Sequence, residues 1–265
     1  MSIDRSLFAD HFTTLPGWTC SVCQKGTLTV LSDHQVQFTP RIWIEASKDP
    51  DFEIDWTKQI FGFALQCQNP DCGQGSLVSG NVRLVLDHDE FGNQFLGDRL
   101  YPENFVSPPL IFSMSDAVPN DVRRELLKAF SLFWSDGNSA ANKVRNVVEA
   151  ILTSKRIPKT ERSKNGKRSK LTTDRRIISF SAKNPLVGKM LMGLKWKGNA
   201  NSHFTLENSS KSDLLETFEL LDHVLQEIYD SRSLRMIERA DALTKRKGKA
   251  TPLKKNVSKS RRKKK

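Results

Sequence analysis

The sequence predicts an α+β protein, with a β-rich N-terminal part followed by an all-α helical bundle. Three observations carry this. Short runs of partly alternating apolar and polar residues, separated by turn residues, fill the first hundred positions. From about Asp116 the apolar spacing changes to that of amphipathic helices. The cysteines fall in two close pairs, Cys20-x-x-Cys23 and Cys67-x4-Cys72, both inside the β-rich part.

The strand candidates are GTLTVL (26–31), QVQFT (35–39), RIWIEA (41–46), QIFGFALQC (59–67), LVSGNVRLVL (77–86) and NQFLG (93–97). Residues 1–100 therefore read as one β-rich domain, and Pro102, Pro108 and Pro109 mark an extended connector over 101–115. Ser115, Asp116 and Pro119 give a helix start, and Val122, Leu126, Phe130 and Phe133 then share one helical face. DGNS (136–139) is a turn, with Asn138 or Ser139 as the next cap. Ala140, Val144, Val147, Val148, Ile151 and Leu152 form a second apolar stripe. Ile177, Ile178 and Phe180, then Leu186 to Trp196, read as two shorter helices, and Leu214, Phe218, Leu221, Leu225 and Ile228 stripe a closing helix from about Ser212 to Ser231. Such stripes are buried only against one another, so residues 116–235 form a bundle. Trp134 and Trp196 sit at helical positions that favour packing. Within the bundle, 155–173 is polar and basic without apolar periodicity and reads as a mobile loop. Residues 236–265 read as a basic, disordered tail.

The cysteine spacing points to a metal. A tight turn presents two thiolates to one ion and a second turn closes a tetrahedron; CSVCQKG and CQNPDCG each carry a Gly close behind the second thiol. The expected cofactor is Zn2+, held by Cys20, Cys23, Cys67 and Cys72. Four thiolates leave no open coordination position, so the ion is structural. The β-rich part resembles a zinc ribbon with an enlarged sheet between its two knuckles.

The charge is localised. Of 42 Lys and Arg against 30 Asp and Glu, twelve basic residues and no acid lie between Lys245 and Lys265, so the remaining chain is neutral overall. That run includes Lys245, Arg246, Lys247, Arg261 and Arg262 and contains no aromatic residue. It suits salt-sensitive, sequence-blind contact with nucleic acid phosphates rather than base stacking. A second basic run spans 155–176. No apolar run is long enough to cross a bilayer, and the N-terminal MSIDRSLFADHF has neither the basic start nor the apolar core of a signal peptide. A cytoplasmic location with reduced thiols, and no membrane partner, is the expectation.

Residues 193–204, GLKWKGNANSHF, pack Lys, Gly, Asn, Ser and His behind an apolar helix. Gly198 is read as a left-handed helix end, with Asn199, Asn201 and Ser202 capping the next segment. Together with LYP (100–102), ANKVRNVVEAIL (141–152) and DLLETFELLDHVLQEIY (213–229), this stretch resembles the bacterial domain of unknown function 4145 over roughly residues 100–230. That family is grouped with the HEPN superfamily of four-helix domains, occurs behind zinc ribbons, and is fused to motor subunits of type I restriction enzymes. The resemblance implies an HEPN-like bundle and a homodimer through it. Many HEPN members are metal-independent ribonucleases, which would assign His203 as acid or base, with Lys197 or Lys195 holding phosphate. Arg145 and Glu149, one turn apart, match the family's Arg and Glu in that helix and stand with Lys195 and Asn199 as candidates for a ligand site.

The leading expectation is a zinc-binding, nucleic-acid-associated module without catalysis, acting on RNA or DNA, with a role in prokaryotic defence or restriction implied by the family resemblance alone. The alternatives are the metal-independent ribonuclease and a scaffold that joins protein partners.

Overall fold

The computed structural model describes residues 3–53, 58–162, 166–200, 210–230 and 232–245; at 199–200, 232–235 and 237–238 it describes the backbone only. Five strands, β1 (Trp18–Thr19), β2 (Thr27–Phe38), β3 (Lys58–Cys67), β4 (Gly75–His88) and β5 (Gln94–Val106), form an antiparallel sheet in sequence order. A short helix, α1 (Arg41–Ala46), lies between β2 and β3 in the chain. After the sheet come α2 (Asn120–Ser135), α3 (Gly137–Ser154), α4 (Thr173–Ser181), α5 (Pro185–Ala200), α6 (Lys211–Tyr229) and α7 (Arg232–Lys245). The fold class is α+β, as the periodicities predict.

The sheet's connectivity places the cysteines. In an antiparallel meander every second turn falls at the same end. The β1–β2 turn holds Cys20 and Cys23, and Cys67 at the end of β3 leads into the β3–β4 turn with Cys72. Pairing of Leu28 with Cys67 brings the two turns side by side.

One face of the sheet is apolar and covered. Along β3, buried Phe61, Leu65 and Cys67 alternate with outward residues such as Ile60 and Gln66, the period of two that a pleated strand requires. Phe61, Leu65, Val78, Val82, Leu100 and Phe105 join Trp18 and Leu28 in the core. That core continues into the helices. The Trp18 ring stands edge-on to Trp134 at 5.5 Å, Phe105 lies 4.9 Å from Trp134, and Phe8 meets Phe133 at 5.8 Å. An Arg5–Glu219 ion pair at 3.1 Å joins the N-terminal segment to α6. The sheet and the bundle thus bury one another through α2. Each large apolar side chain so covered contributes about 1.5–3 kcal/mol.

The helical stripes are buried as their spacing requires: Val122, Leu126, Phe130 and Phe133 on α2, the six apolar positions of α3, and Leu214, Phe218, Leu221 and Leu225 on α6. Asp136, rather than Asn138 or Ser139, caps α3, accepting the Ser139 N–H at 2.9 Å. Ser210 caps α6 by accepting the Asp213 N–H at 3.1 Å.

Several local expectations are corrected. Residues 41–46 form the helix α1, not a strand, stapled by an Arg41–Glu45 ion pair one turn apart at 2.8 Å. Six residues are too few for periodicity to separate the two states. The runs at 26–31 and 35–39 are one strand with a bulge between Val30 and Gln35. β5 continues through Pro102, which pairs with Gly80 at a register shift between Ser79 and Gly80. A bulge is where a sheet tolerates a residue without an N–H. The basic stretch 155–173 contains a hairpin, β6 (Thr160–Arg162) with β7 (Arg168–Lys170), closed at its base by Leu171 N–H to Lys159 O at 2.9 Å. Helix α7 runs to Lys245, into the segment read as tail. Trp196 is 59% exposed rather than packed.

Candidate functional site

Two constellations stand out, one on the sheet and one on the bundle. On the sheet, the Cys20, Cys23, Cys67 and Cys72 sulfurs all lie within 4.8 Å of one another. Cys20 and Cys72 are 3.9 Å apart and Cys23 and Cys67 3.6 Å apart, far beyond a disulfide bond of about 2 Å. All four are thiols in the described structure.

The turns are shaped around the sulfurs. Cys20 N–H donates to Gly26 O at 2.9 Å and Gln24 N–H to Cys20 O at 3.0 Å, with Gln24 in the left-handed region at φ 57°. Gly26 N–H then donates to Cys23 Sγ at 3.3 Å. In the other turn Cys67 N–H donates to Gln74 O, and Cys72 and Gly73 N–H both donate to Asn69 O, with Gly73 at φ +58°. The backbone N–H groups of Lys25 and Gly26 lower the Cys23 thiol to about 6, which favours its anionic form. Burial pushes Cys67 up to about 12. A thiol lowered by backbone N–H groups beside one raised by burial is a donor set that a cation would stabilise. The cluster is compatible with a metal ion.

On the bundle, α3, α4 and the base of the β6–β7 hairpin line a half-open polar cavity of about 580 Å³. Its lining includes five cations, Lys143, Arg145, Lys159, Lys170 and Arg176, against one carboxylate, Glu149. Arg176 is the keystone. It is 1% exposed, ion-paired to Glu149, and its Nη2 donates to Thr153 Oγ1 at 3.0 Å and Ile157 O at 3.2 Å. Its Nε has no hydrogen-bond partner among the described residues. Thr173 Oγ1 donates to the other Glu149 oxygen, so that carboxylate is held from both sides. Lys143 is matched outside the cavity by Glu125 at 3.0 Å, and the two cations Lys128 and Lys143 keep that carboxyl below its usual range.

Of the residues singled out in the sequence, Arg145 and Glu149 meet at this cavity. Lys195 does not join them: it is 5% exposed, ion-paired with Asp174 of α4 at 2.8 Å, with its ammonium 3.7 Å above the Trp196 ring. Lys197 faces α6, 3.8 Å from Asp213. Lys245 is exposed at the end of α7. His203, Arg246, Lys247, Arg261 and Arg262 lie outside the described residues, as does the side chain of Asn199. Gly198 is not a left-handed helix end. It lies inside α5, where a Cβ would sit 3.0 Å from Ala141 O and 3.3 Å from Arg145 Cβ. Its role is to let α5 close on α3 beside Arg145. Arg176 escaped the sequence reading because it hid among ten basic residues in the 155–176 run. The signal was its position: Thr173, Arg176, Ile177 and Phe180 share the buried face of α4, a spacing that puts a cation inward.

No curated protein and no solved structure gives a significant match to the chain. Two family models do match it: Domain of unknown function (DUF8608) over residues 10–105, which spans the cysteines and the sheet, and Domain of unknown function (DUF4145) over residues 128–255, which spans the cavity.

Proposed function

We propose that the chain is a zinc-stapled module that associates with nucleic acid, RNA or DNA, through phosphate contacts and without catalysis. The observation that carries this is the cavity on the bundle, five cations to one carboxylate, beside a hairpin that adds Arg162, Lys167 and Arg168 on exposed positions. Phosphate neutralisation by such a surface is sequence-blind and weakens steeply with salt. The twelve basic residues from Lys245 onward add to the same attraction.

Zinc is the metal the donor set favours. A tetrahedron with Zn–S bonds of about 2.3 Å has sulfur–sulfur edges of about 3.8 Å. The separations of 3.9 Å and 3.6 Å bracket that value. With all four positions taken by sulfur, the ion has no place for water or substrate, and it staples the two turns. Reduced thiols suit a cytoplasmic setting. The four long helices α2, α3, α5 and α6 support reading the bundle as HEPN-like. In that reading Lys195 and Lys197 serve packing, since each is committed to a carboxylate on a neighbouring helix.

The test is binding of RNA and DNA oligonucleotides across a salt series, with the full chain against variants in which the cations after Lys245 are changed to Gln. Retention that falls with salt and weakens in the variants supports the module. Equal, negligible binding by both at low salt removes it. Incubation with RNA in chelator keeps the ribonuclease alternative open to observation: cleavage abolished by His203→Ala would replace the non-catalytic reading.

A further inference from the structure

We infer that the cavity between α3, α4 and the β6–β7 hairpin is a phosphate-monoester pocket that grips a phosphate group and ignores the base. The inference rests on the reading of this surface as phosphate-facing and names the ligand chemistry at its centre. Three features argue for it. The cavity, about 580 Å³, is the size of a site for a small phosphorylated molecule, and larger than a structural gap between helices requires. Its lining is charged and amide-rich, with Asn142 and Asn146 among the cations, and Leu171 is its apolar member. No aromatic ring lines it among the described residues, so nothing there stacks on a base.

The charge pattern favours a monoester over an internal phosphodiester. A monoester carries nearly two charges at neutral pH, a diester one. Arg176 is paired with Glu149, and Lys143 with Glu125. Lys159 and Lys170 have no ion pair among the described residues and belong to the hairpin base, and Arg145 of α3 shares the lining with them. Two lysines and an arginine in one lining suit an anion with three terminal oxygens. The buried Arg176 guanidinium, ion-paired with Glu149, cancels that carboxylate and leaves the other cations of the lining unopposed by it.

A free nucleotide and the phosphorylated end of a strand both present this group, and the experiment separates them. Isothermal titration of the full chain with AMP, GMP and UMP, at constant ionic strength, should give saturable one-to-one binding of equal strength for all three. Arg145→Ala with Lys170→Ala should weaken it at least tenfold while leaving thermal unfolding of the ligand-free protein in place. Arg41→Gln with Lys48→Gln, exposed positions outside the cavity lining, should leave it unchanged. Oligonucleotides ending in phosphate or hydroxyl form the second arm. Preference for the phosphorylated end, lost in Arg145→Ala with Lys170→Ala, assigns the strand end as source; tight nucleotide binding without end preference assigns the free nucleotide. Absence of saturable binding in both arms overturns the pocket, as does strong preference for one base, or binding untouched by the Arg145 and Lys170 changes. Salt-sensitive binding of hydroxyl-ended strands would then leave the nucleic-acid reading standing alone. Nucleotide binding without any strand binding would remove that reading and keep the pocket.

Discussion

Gly26 abuts Cys67 across the two cysteine turns, with no room for a Cβ between them. A methyl group on Gly26 would overlap the Cys67 sulfur and approach Asn69 Cβ to 2.7 Å and Asn69 N to 2.9 Å. Two of those three neighbours are a candidate ligand sulfur and a backbone atom, which cannot swing aside. Gly26→Ala is therefore expected to destabilise the protein by about 1–3 kcal/mol through overpacking, and to weaken metal retention in parallel. Thermal unfolding with and without chelator checks this: the penalty should be larger in the metal-loaded protein. An unchanged unfolding temperature would mean that the turns are farther apart than the structure has them.

The Arg176–Glu149 pair gives a second expectation. Arg176 is fully buried and Glu149 about one-third exposed. Arg176→Ala strands a half-buried carboxylate and opens a void, at a cost of about 2–3 kcal/mol, below the range for a fully buried pair because water reaches Glu149. Changing both, Arg176→Leu with Glu149→Leu, should recover most of that loss. Denaturant unfolding of Arg176→Leu, Glu149→Leu and the double variant measures the coupling; additive losses would show that the pair does not act as a unit.

Asp222 should make stability depend on pH in a defined direction. It is 6% exposed on α6, with Gln226 donating to it at 2.8 Å, and burial raises its carboxyl above the ordinary 3.8. A raised carboxyl binds its proton more tightly in the folded state. Its contribution is thus present below the unfolded value and lost as pH rises through the folded one. Asp222→Asn is expected to raise the unfolding temperature at pH 7, with the gain shrinking to nothing as pH falls below about 4. A loss of stability at pH 7 would contradict burial as the dominant influence.

Gly198 yields a fourth. Its place against Ala141 O means that Gly198→Leu crowds the α3–α5 contact, with an expected cost of about 1–3 kcal/mol despite leucine's better helix propensity. Because the contact adjoins Arg145, the same change should disturb the cavity wall. Circular dichroism melting reads the first effect, and nucleotide titration the second. Wild-type values in both would place the α3–α5 contact elsewhere.

The helices were legible in the sequence, since Val144, Val147, Val148 and Ile151 can be buried together only on one face of one helix. So was the cysteine cluster, whose spacing already implied two turns meeting. The features that escaped depend on partners distant in sequence. RIWIEA alternates like a strand yet is a single helical turn and a half. The β6–β7 hairpin rests on main-chain pairing between polar residues, which leaves no apolar pattern. Arg176 reads as one more charge in a basic run until Glu149 of α3 is seen opposite it. Gly198 has the composition of a helix end, and only the approach of Ala141 reveals how little room a side chain has there.

Native mass spectrometry of the full chain tests the zinc staple most directly. The expected result is one zinc ion per chain with all four cysteines reduced, and loss of the ion with collapse of the folded signal when any one of them, Cys67→Ser above all, is changed. A chain that is folded and free of metal, or one whose cysteines are joined as disulfides, would contradict it.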